Sequence, residues 1–426
     1  MSLSSSLRGA LIDAYLGQRS QTLRRGARRA GQLLGRRERK LVFFHRVDDP
    51  HSHLLLQLLP ALLRSYSIGL EMVLVGAPAP DADPEPSLRA RLSLRDASEL
   101  SRWYELEFPA QPTQPDATRV RRALATLLVD RPIEIQLELA IQAGQALFGD
   151  DGAKLSRIAD EQGFVPGQEV SPRLEEGARR LQAMGHYQGG TLAYAGEWYG
   201  GVDRIRHLQD RLSGEGLEAA PLLRRRDPAP TPTPHEGASL EIFSSFRSPY
   251  SYLAIEKLRR LEGVSKLPLR FRPVLPMVTR GLSLPRAKKL YIVRDAKREA
   301  DRLGIPFGRI CDPLGEGVER LFAIFPLADA QGKALEYLSA AGLAVWAQAR
   351  DLRRDPELRA LVESVGLEWA QAREALEDES WRAIGDANRL ALRELGLWGV
   401  PSFRIDDYCT WGQDRLWLAL ARVAPR

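Results

Sequence analysis

Set one above the other, KLVFFHRVDDPHSHLLLQLLPAL from Lys40 and SLEIFSSFRSPYSYLAIEKLRRL from Ser239 place their apolar residues at the same positions without a gap. Leu41 falls on Leu240, Phe44 on Phe243, Pro50 on Pro249, Ser52 on Ser251 and Leu54 on Leu253. Further along, GHYQGGTLAYAGEWYGGVDRI from Gly185 matches GLWGVPSFRIDDYCTWGQDRL from Gly396. Both have an aromatic residue two positions after the glycine, two short strand-like runs, and Gly-x-Asp-Arg opening a last helix. A repeat of so long a period requires two copies of one domain. A chain of 426 residues is long enough for two or three ordinary cores.

Each copy reads strand, turn, helix, strand, then a long helical stretch, a hairpin and a final helix. In the second copy the helical stretch covers about residues 286–395, where KALEYLSAAGLAVWAQARDL and PELRALVESVGL carry apolar residues at three- and four-residue spacing. Strands at both ends with helices between them predict an α/β fold, a mixed sheet covered by helices, with a right-handed crossover at its opening. The junction is DPAPTPTPHEGAS, residues 227–239, whose prolines and scarce apolar side chains describe an extended linker. The expected layout is a basic helical segment over 1–39, one domain over 40–220, a proline-rich linker over 221–238 and a second domain over 239–426.

The balance of 44% hydrophobic and 27% charged residues is that of a soluble globular chain. No apolar run approaches the roughly 20 residues that span a bilayer. The start, MSLSSSLRGALIDAYLGQ, lacks a basic stretch followed by an unbroken apolar one, so a cytoplasmic location is expected. The net charge of +6 is local: Gln18 to Lys40 holds a balance of +8, which leaves everything after Lys40 at −2. No aromatic residues interleave those charges, so a solvated helix is expected there and no nucleic-acid partner. Two cysteines, Cys311 and Cys409, without any CxxC, exclude a dithiol cycle within this chain. Both are expected as small buried or edge residues, and thiol chemistry must use a sulfur from elsewhere.

The stretch SFRSPYSY, residues 245–252, sets a serine and a proline where a strand hands over to a helix. Ser248 suits an N-cap. A helix start also carries partial positive charge and unpaired N–H groups that stabilise an anion. Serine is far too weak an acid to be that anion, and no histidine follows His235 to act as its base, which argues against a serine-hydrolase mechanism in this half.

SPYSYLA, FRPVL at 271–275, PRAKKLY with RDAKREADRLGIPFG at 285–308, and GLWGVPSFRIDDYCTWGQDRL at 396–416 resemble, in this order and spacing, the DsbA-like branch of the thioredoxin superfamily. Within it they resemble the 2-hydroxychromene-2-carboxylate isomerase and kappa-class glutathione transferase family. The similarity covers essentially all of residues 239–424, and residues 40–212 look like a degenerate copy. The resemblance implies two tandem thioredoxin-like domains, each with a helical insertion, and glutathione as cofactor. It gives Ser248 the catalytic part: redox members hold a cysteine thiolate at this helix start, and here the hydroxyl would donate to the thiolate of glutathione.

The same resemblance implies a cis Val400–Pro401 peptide that turns the Val400 N–H and C=O toward the ligand like a strand edge. It places Gln413 and Asp414 on the γ-glutamyl end, Lys288 on a carboxylate, and Tyr291, Tyr250 and Arg247 around the substrate. Lys289 is an equally basic neighbour of Lys288, and Arg415 is a rival partner for Asp414. Asn388 and Trp398 read as packing. Ser244 and Ser245 stand where family members often carry an acidic residue. The loop PMVTRGLSLPRAKK is short and lacks the family's glycine-asparagine, which removes one glutathione contact.

In the first copy Asp49, inside DDPHS, takes the serine position and Gly190 that of Pro401. A carboxylate there would repel a thiolate, so this copy is expected to have kept the fold, lost the chemistry and become half of an intramolecular pseudo-dimer. His45, His51 and His53 with Asp48 and Asp49 raise a metal site, but side chains of a strand, a turn and a helix point apart and no metal is expected. The activity the resemblance implies is glutathione-dependent cis-trans isomerisation of a small molecule, by reversible thiolate addition to a conjugated double bond. Its rivals are a kappa-like transferase that keeps the sulfur on its product, a disulfide-oxidoreductase-like domain without CxxC, and a non-catalytic binding or scaffold protein.

Overall fold

The computed structural model describes residues 13–14, 16–17, 22–23, 25–26, 39–66, 68–217, 219–223, 234–261, 266–282 and 284–423. Most of the basic segment and half of the proline-rich junction lie outside the described residues. The chain forms two compact units: Arg24–Arg225 with Leu284–Tyr291, and Met1–Leu23 with Arg226–Ser283 and Ile292–Arg426.

The first unit opens with β1 (Lys40–His45), α1 (Pro50–Ser65) and β2 (Gly69–Leu74). Helices α2 (Pro86–Tyr104), α3 (Ala117–Leu127), α4 (Ile133–Phe148), α5 (Gly152–Gln162) and α6 (Gly167–Ala183) follow. The hairpin β3 (Thr191–Tyr194) and β4 (Glu197–Gly200), a 3-10 turn (Val202–Arg204) and α7 (Ile205–Ser213) close it. The second unit repeats the plan with β5 (Leu240–Ser244), α8 (Pro249–Arg259) and β6 (Leu269–Pro273).

 Helices α9 (Arg286–Leu303), α10 (Glu316–Ala330), α11 (Ala334–Trp346), α12 (Asp355–Ser364), α13 (Trp369–Leu376) and α14 (Trp381–Glu394) come next. The hairpin β7 (Ser402–Ile405) and β8 (Tyr408–Trp411), a 3-10 turn (Gln413–Arg415) and α15 (Leu416–Leu420) end the unit.

Both sheets have four strands in the same order, β2-β1-β3-β4 and β6-β5-β7-β8. In each, the opening pair is parallel and the other pairs are antiparallel. The registers correspond residue by residue: Val42 lies opposite Ala193 and Phe44 opposite Thr191, as Glu241 lies opposite Arg404 and Phe243 opposite Ser402. The central strands KLVFFH and LEIFS are buried almost throughout, as strands covered on both faces must be. The fold is therefore two thioredoxin-like α/β units, each with helices inserted between its second and third strands.

The helix starts follow from cap chemistry. The Asp49 carboxylate accepts the His51 N–H at 3.0 Å and the Ser248 hydroxyl accepts the Ser251 N–H at 3.1 Å, each followed by proline in the first turn. A second serine ties helix to turn in both: Ser52 Oγ accepts the Arg46 N–H and Ser251 Oγ accepts the Ser245 N–H, each at 3.1 Å. A Cβ on Gly144 of α4 would lie 2.2 Å from His53 Nδ1, and one on Gly342 of α11 would lie 2.2 Å from Tyr252 Cδ2. Each opening helix thus seats a ring on a glycine of a later helix.

The core of the second unit gathers Leu240, Ile242, Leu253, Phe271, Phe322, Phe403 and Leu416. Leu16, from the segment 1–39 that precedes the first strand, is buried in the same core. No described helix is long and apolar enough to cross a membrane.

Candidate functional site

The end of β5 and the head of α8 define the site. The antiparallel register sets Ser402 opposite Phe243. Immediately before β7 come Pro401 and Val400, which therefore flank the turn from which α8 departs. The Val400–Pro401 peptide is cis, as the resemblance implies. Among the described residues the Val400 N–H and C=O make no backbone hydrogen bond, whereas the Pro401 carbonyl accepts the Gly412 N–H at 2.9 Å. An open strand edge of this kind pairs with an extended ligand backbone.

Ser248 is half-buried and caps α8. A hydroxyl has two lone pairs and one hydrogen, so accepting the Ser251 N–H leaves its O–H to donate elsewhere. Capping and donation to an anion are compatible. Beneath it the hydroxyl oxygens of Ser244 and Ser245 are enclosed with no hydrogen-bond partner among the described residues.

The other expected site residues separate into two groups. In the second unit, the Tyr250 hydroxyl donates to Asp295 at 2.8 Å, which fixes its ring at the first turn of α8. Arg247 makes two 2.7 Å bonds to Asp312, so its charge is paired inside the unit. Gln413 is buried, its backbone and side-chain oxygens both taken by the Lys257 ammonium. Asp414 remains partly exposed, with Arg415 3.7 Å away. Gly399 lies against Trp411, whose ring is 4.8 Å from that of Trp398, so an aromatic pair packs beside the residue before Val400.

Lys288 and Tyr291 belong to the first unit, not the second in which the sequence sets them. The Lys288 ammonium donates to the Ala82 carbonyl at 2.7 Å and lies over the Tyr187 ring, and burial draws its pKa down to about 8. Tyr291 meets the His186 ring edge-on at 4.9 Å and packs against the cluster of Val42, Phe44, Ala193 and Trp198. Burial of that ring on an aromatic surface decides its place.

In the first unit the corresponding turn is closed. Arg89 lies 3.9 Å from Asp49 and 3.3 Å from Asp83, and Arg46 holds Asp48 through bonds of 2.9 and 2.8 Å. The Gly190 N–H donates to the Phe44 carbonyl at 2.8 Å, an amide that Pro401 lacks. The three histidines diverge: His45 meets Ser52 Oγ at 2.8 Å, His51 reaches Asp96 at 3.4 Å, and His53 packs on Phe108 and Phe148. Burial holds the pKa of His45 down at about 4 and that of His53 at about 3. Among the described residues no cluster of His, Cys, Asp and Glu could hold a metal ion.

Sequence reasoning missed Lys257, Asp295 and Asp312. Lys257 left a signal, because Leu253 and Ala254, four and three residues before it, share its helical face and mark it as buried.

Comparison with known proteins defines the class first: the profile of the DsbA-like thioredoxin domain matches residues 239–423, and this half of the chain is such a domain. Its relatives include 2-hydroxychromene-2-carboxylate isomerases. That of Sphingobium xenophagum is 25% identical over 186 residues, 42% of this chain and 94% of the relative. That of Pseudomonas putida is 26% identical over 189 residues, 42% of this chain and 91% of the relative. A solved 2-hydroxychromene-2-carboxylate isomerase structure aligns at 24% identity and a TM-score of 0.38, covering 43% of this chain and 93% of that one.

Proposed function

We propose that the second unit is a glutathione-dependent isomerase acting on a small molecule with a conjugated double bond, and that the first unit is a degenerate copy of the same domain. The observation that supports this most is the pairing of a hydroxyl with a donor hydrogen to spare, Ser248, with the open edge at Val400, both at the head of α8. The names of the relatives point to the same class of reaction.

Bound glutathione would supply a thiolate that adds reversibly to the double bond and permits rotation about it. The chain's own groups hold and tune that sulfur. The α8 N-terminus stabilises negative charge by its dipole and N–H groups, and the Ser248 O–H would donate to a sulfur held there, favouring its ionised form. The Val400 N–H and C=O would hold the cysteinyl backbone, and the Asp414 carboxylate would offer a partner for the γ-glutamyl ammonium. Tyr250, Trp398 and Trp411 offer aromatic surface for a planar substrate.

The test is turnover of 2-hydroxychromene-2-carboxylate by the full chain with and without glutathione. The proposal expects activity only with glutathione, and no consumption of it. Activity without glutathione, or steady loss of the free thiol with turnover, contradicts it.

A further inference from the structure

The helix that Ser248 opens sends an ammonium into the protein interior. Lys257, on the third turn of α8, is only 8% exposed. It donates to the Gln413 carbonyl at 3.1 Å and to the Gln413 side-chain oxygen. Gln413 is itself 2% exposed and its side-chain nitrogen is enclosed without a hydrogen-bond partner. It opens the short turn Gln413–Arg415, whose middle residue is Asp414.

The first unit shows what this crossing needs for folding alone. The position equivalent to Lys257 is Leu58, each the ninth residue of its helix, and the position equivalent to Gln413 is Val202, each the first residue of its turn. Leu58 and Val202 are both buried, and α1 packs on that turn as α8 packs on its own. The fold therefore has an apolar solution at this crossing. An ammonium placed there must be stripped of water, and a buried polar pair of this kind is often no more stable than apolar residues of similar volume. The favourable charge at the end of α8 is already supplied by Arg259 and Arg260, which are partly exposed.

We propose that Lys257 is a positioning residue, a strut that ties the helix headed by Ser248 to the turn that presents Asp414. Through Gln413 it sets the distance between the two ends of the cofactor site, the sulfur at the head of α8 and the γ-glutamyl ammonium at Asp414. This inference rests on the glutathione reading above.

The experiment takes the full chain and three variants, Lys257→Leu with Gln413→Val, Lys257→Arg, and Ser248→Ala. It measures glutathione affinity by calorimetry, the thermal midpoint, and kcat and KM for glutathione. The double variant, which installs the pair of the first unit, is expected to melt at or above the wild-type midpoint. It should bind glutathione at least about tenfold more weakly, raising KM with kcat at saturation within about twofold. Lys257→Arg, which keeps charge and donors, should recover most of the affinity. A double variant that binds like the wild type, while Ser248→Ala remains impaired in turnover, overturns the strut and leaves the site reading standing. A double variant that melts well below the wild type, with Lys257→Arg failing to recover affinity, makes the pair a stability element and also overturns it. If the unaltered chain gives no heat with glutathione, the site reading fails and the strut with it.

Discussion

At the head of α1 an aspartate caps the helix within reach of Arg89, and the Gly190 amide closes the sheet onto Phe44. At the head of α8 a serine caps the helix, and Pro401 has no amide with which to close the sheet. Everything that makes the turn fold is kept in both: the cap, the following proline, the second serine bonded back to the turn, and the glycine that receives a ring from the opening helix. What differs is the charge at the helix head and the availability of the strand edge. The comparison separates the residues both units share from those that differ where the ligand site is proposed.

The largest effect should come from breaking the difference at its centre. Ser248→Ala removes the hydroxyl beside the proposed sulfur and is expected to lower turnover about a hundredfold, the value of a charge-assisted hydrogen bond, while Asp49→Ala leaves kinetics unchanged. Equal sensitivity, or equal tolerance, in a steady-state assay would erase the distinction between the units.

The shared skeleton is tested by symmetry. Gly144→Ala and Gly342→Ala each put a methyl where a ring already sits, and each should destabilise its unit by about 1–3 kcal/mol in denaturant unfolding. Loss in only one unit would show that the two crossings are not equivalent.

A smaller effect belongs to the first unit alone. His45 and His53 are held neutral there by burial, with folded pKa values of about 4 and 3, below the ordinary value near 6.5. Their contribution is fully present above the unfolded value and is lost as pH falls toward the folded ones, because the unfolded chain takes up the protons first. Between pH 7 and 5 this amounts to at most about 2 kcal/mol for each histidine, and His53→Leu should flatten the slope. Denaturant midpoints of the first unit that do not fall over this range would contradict it. Least of all is expected from Asp49→Ser: with the Gly190 amide still closing the edge, calorimetry should show no additional glutathione site.

Much of this comparison is readable in the chain itself. Strand periodicity, the Asp-Pro and Ser-Pro helix starts and the repeated Gly-x-Asp-Arg are local signals, and the two sheets follow them in order and register. The cis form of Val400–Pro401 came only from family resemblance, because the local preference of an X–Pro bond is too small to predict it. The destination of Lys288 and Tyr291 depends on which surface the start of α9 covers, a tertiary choice made by the rings of His186, Tyr187 and Trp198. The pairing of Arg247 with Asp312 was not legible because the two residues are distant in sequence. Lys257 was visible as a charge on an apolar face, and the meaning of that charge emerged only when Leu58 and Val202 showed the apolar alternative.

The central claim is that the head of α8 lowers the pKa of a borrowed thiol. Its most direct test is the ultraviolet thiolate absorbance of glutathione bound to the full chain, followed across pH. The account predicts a midpoint well below the ordinary thiol value near 8.5, moving back upward in Ser248→Ala and staying put in Asp49→Ala. A bound thiol that titrates at its ordinary value in the unaltered chain would contradict it.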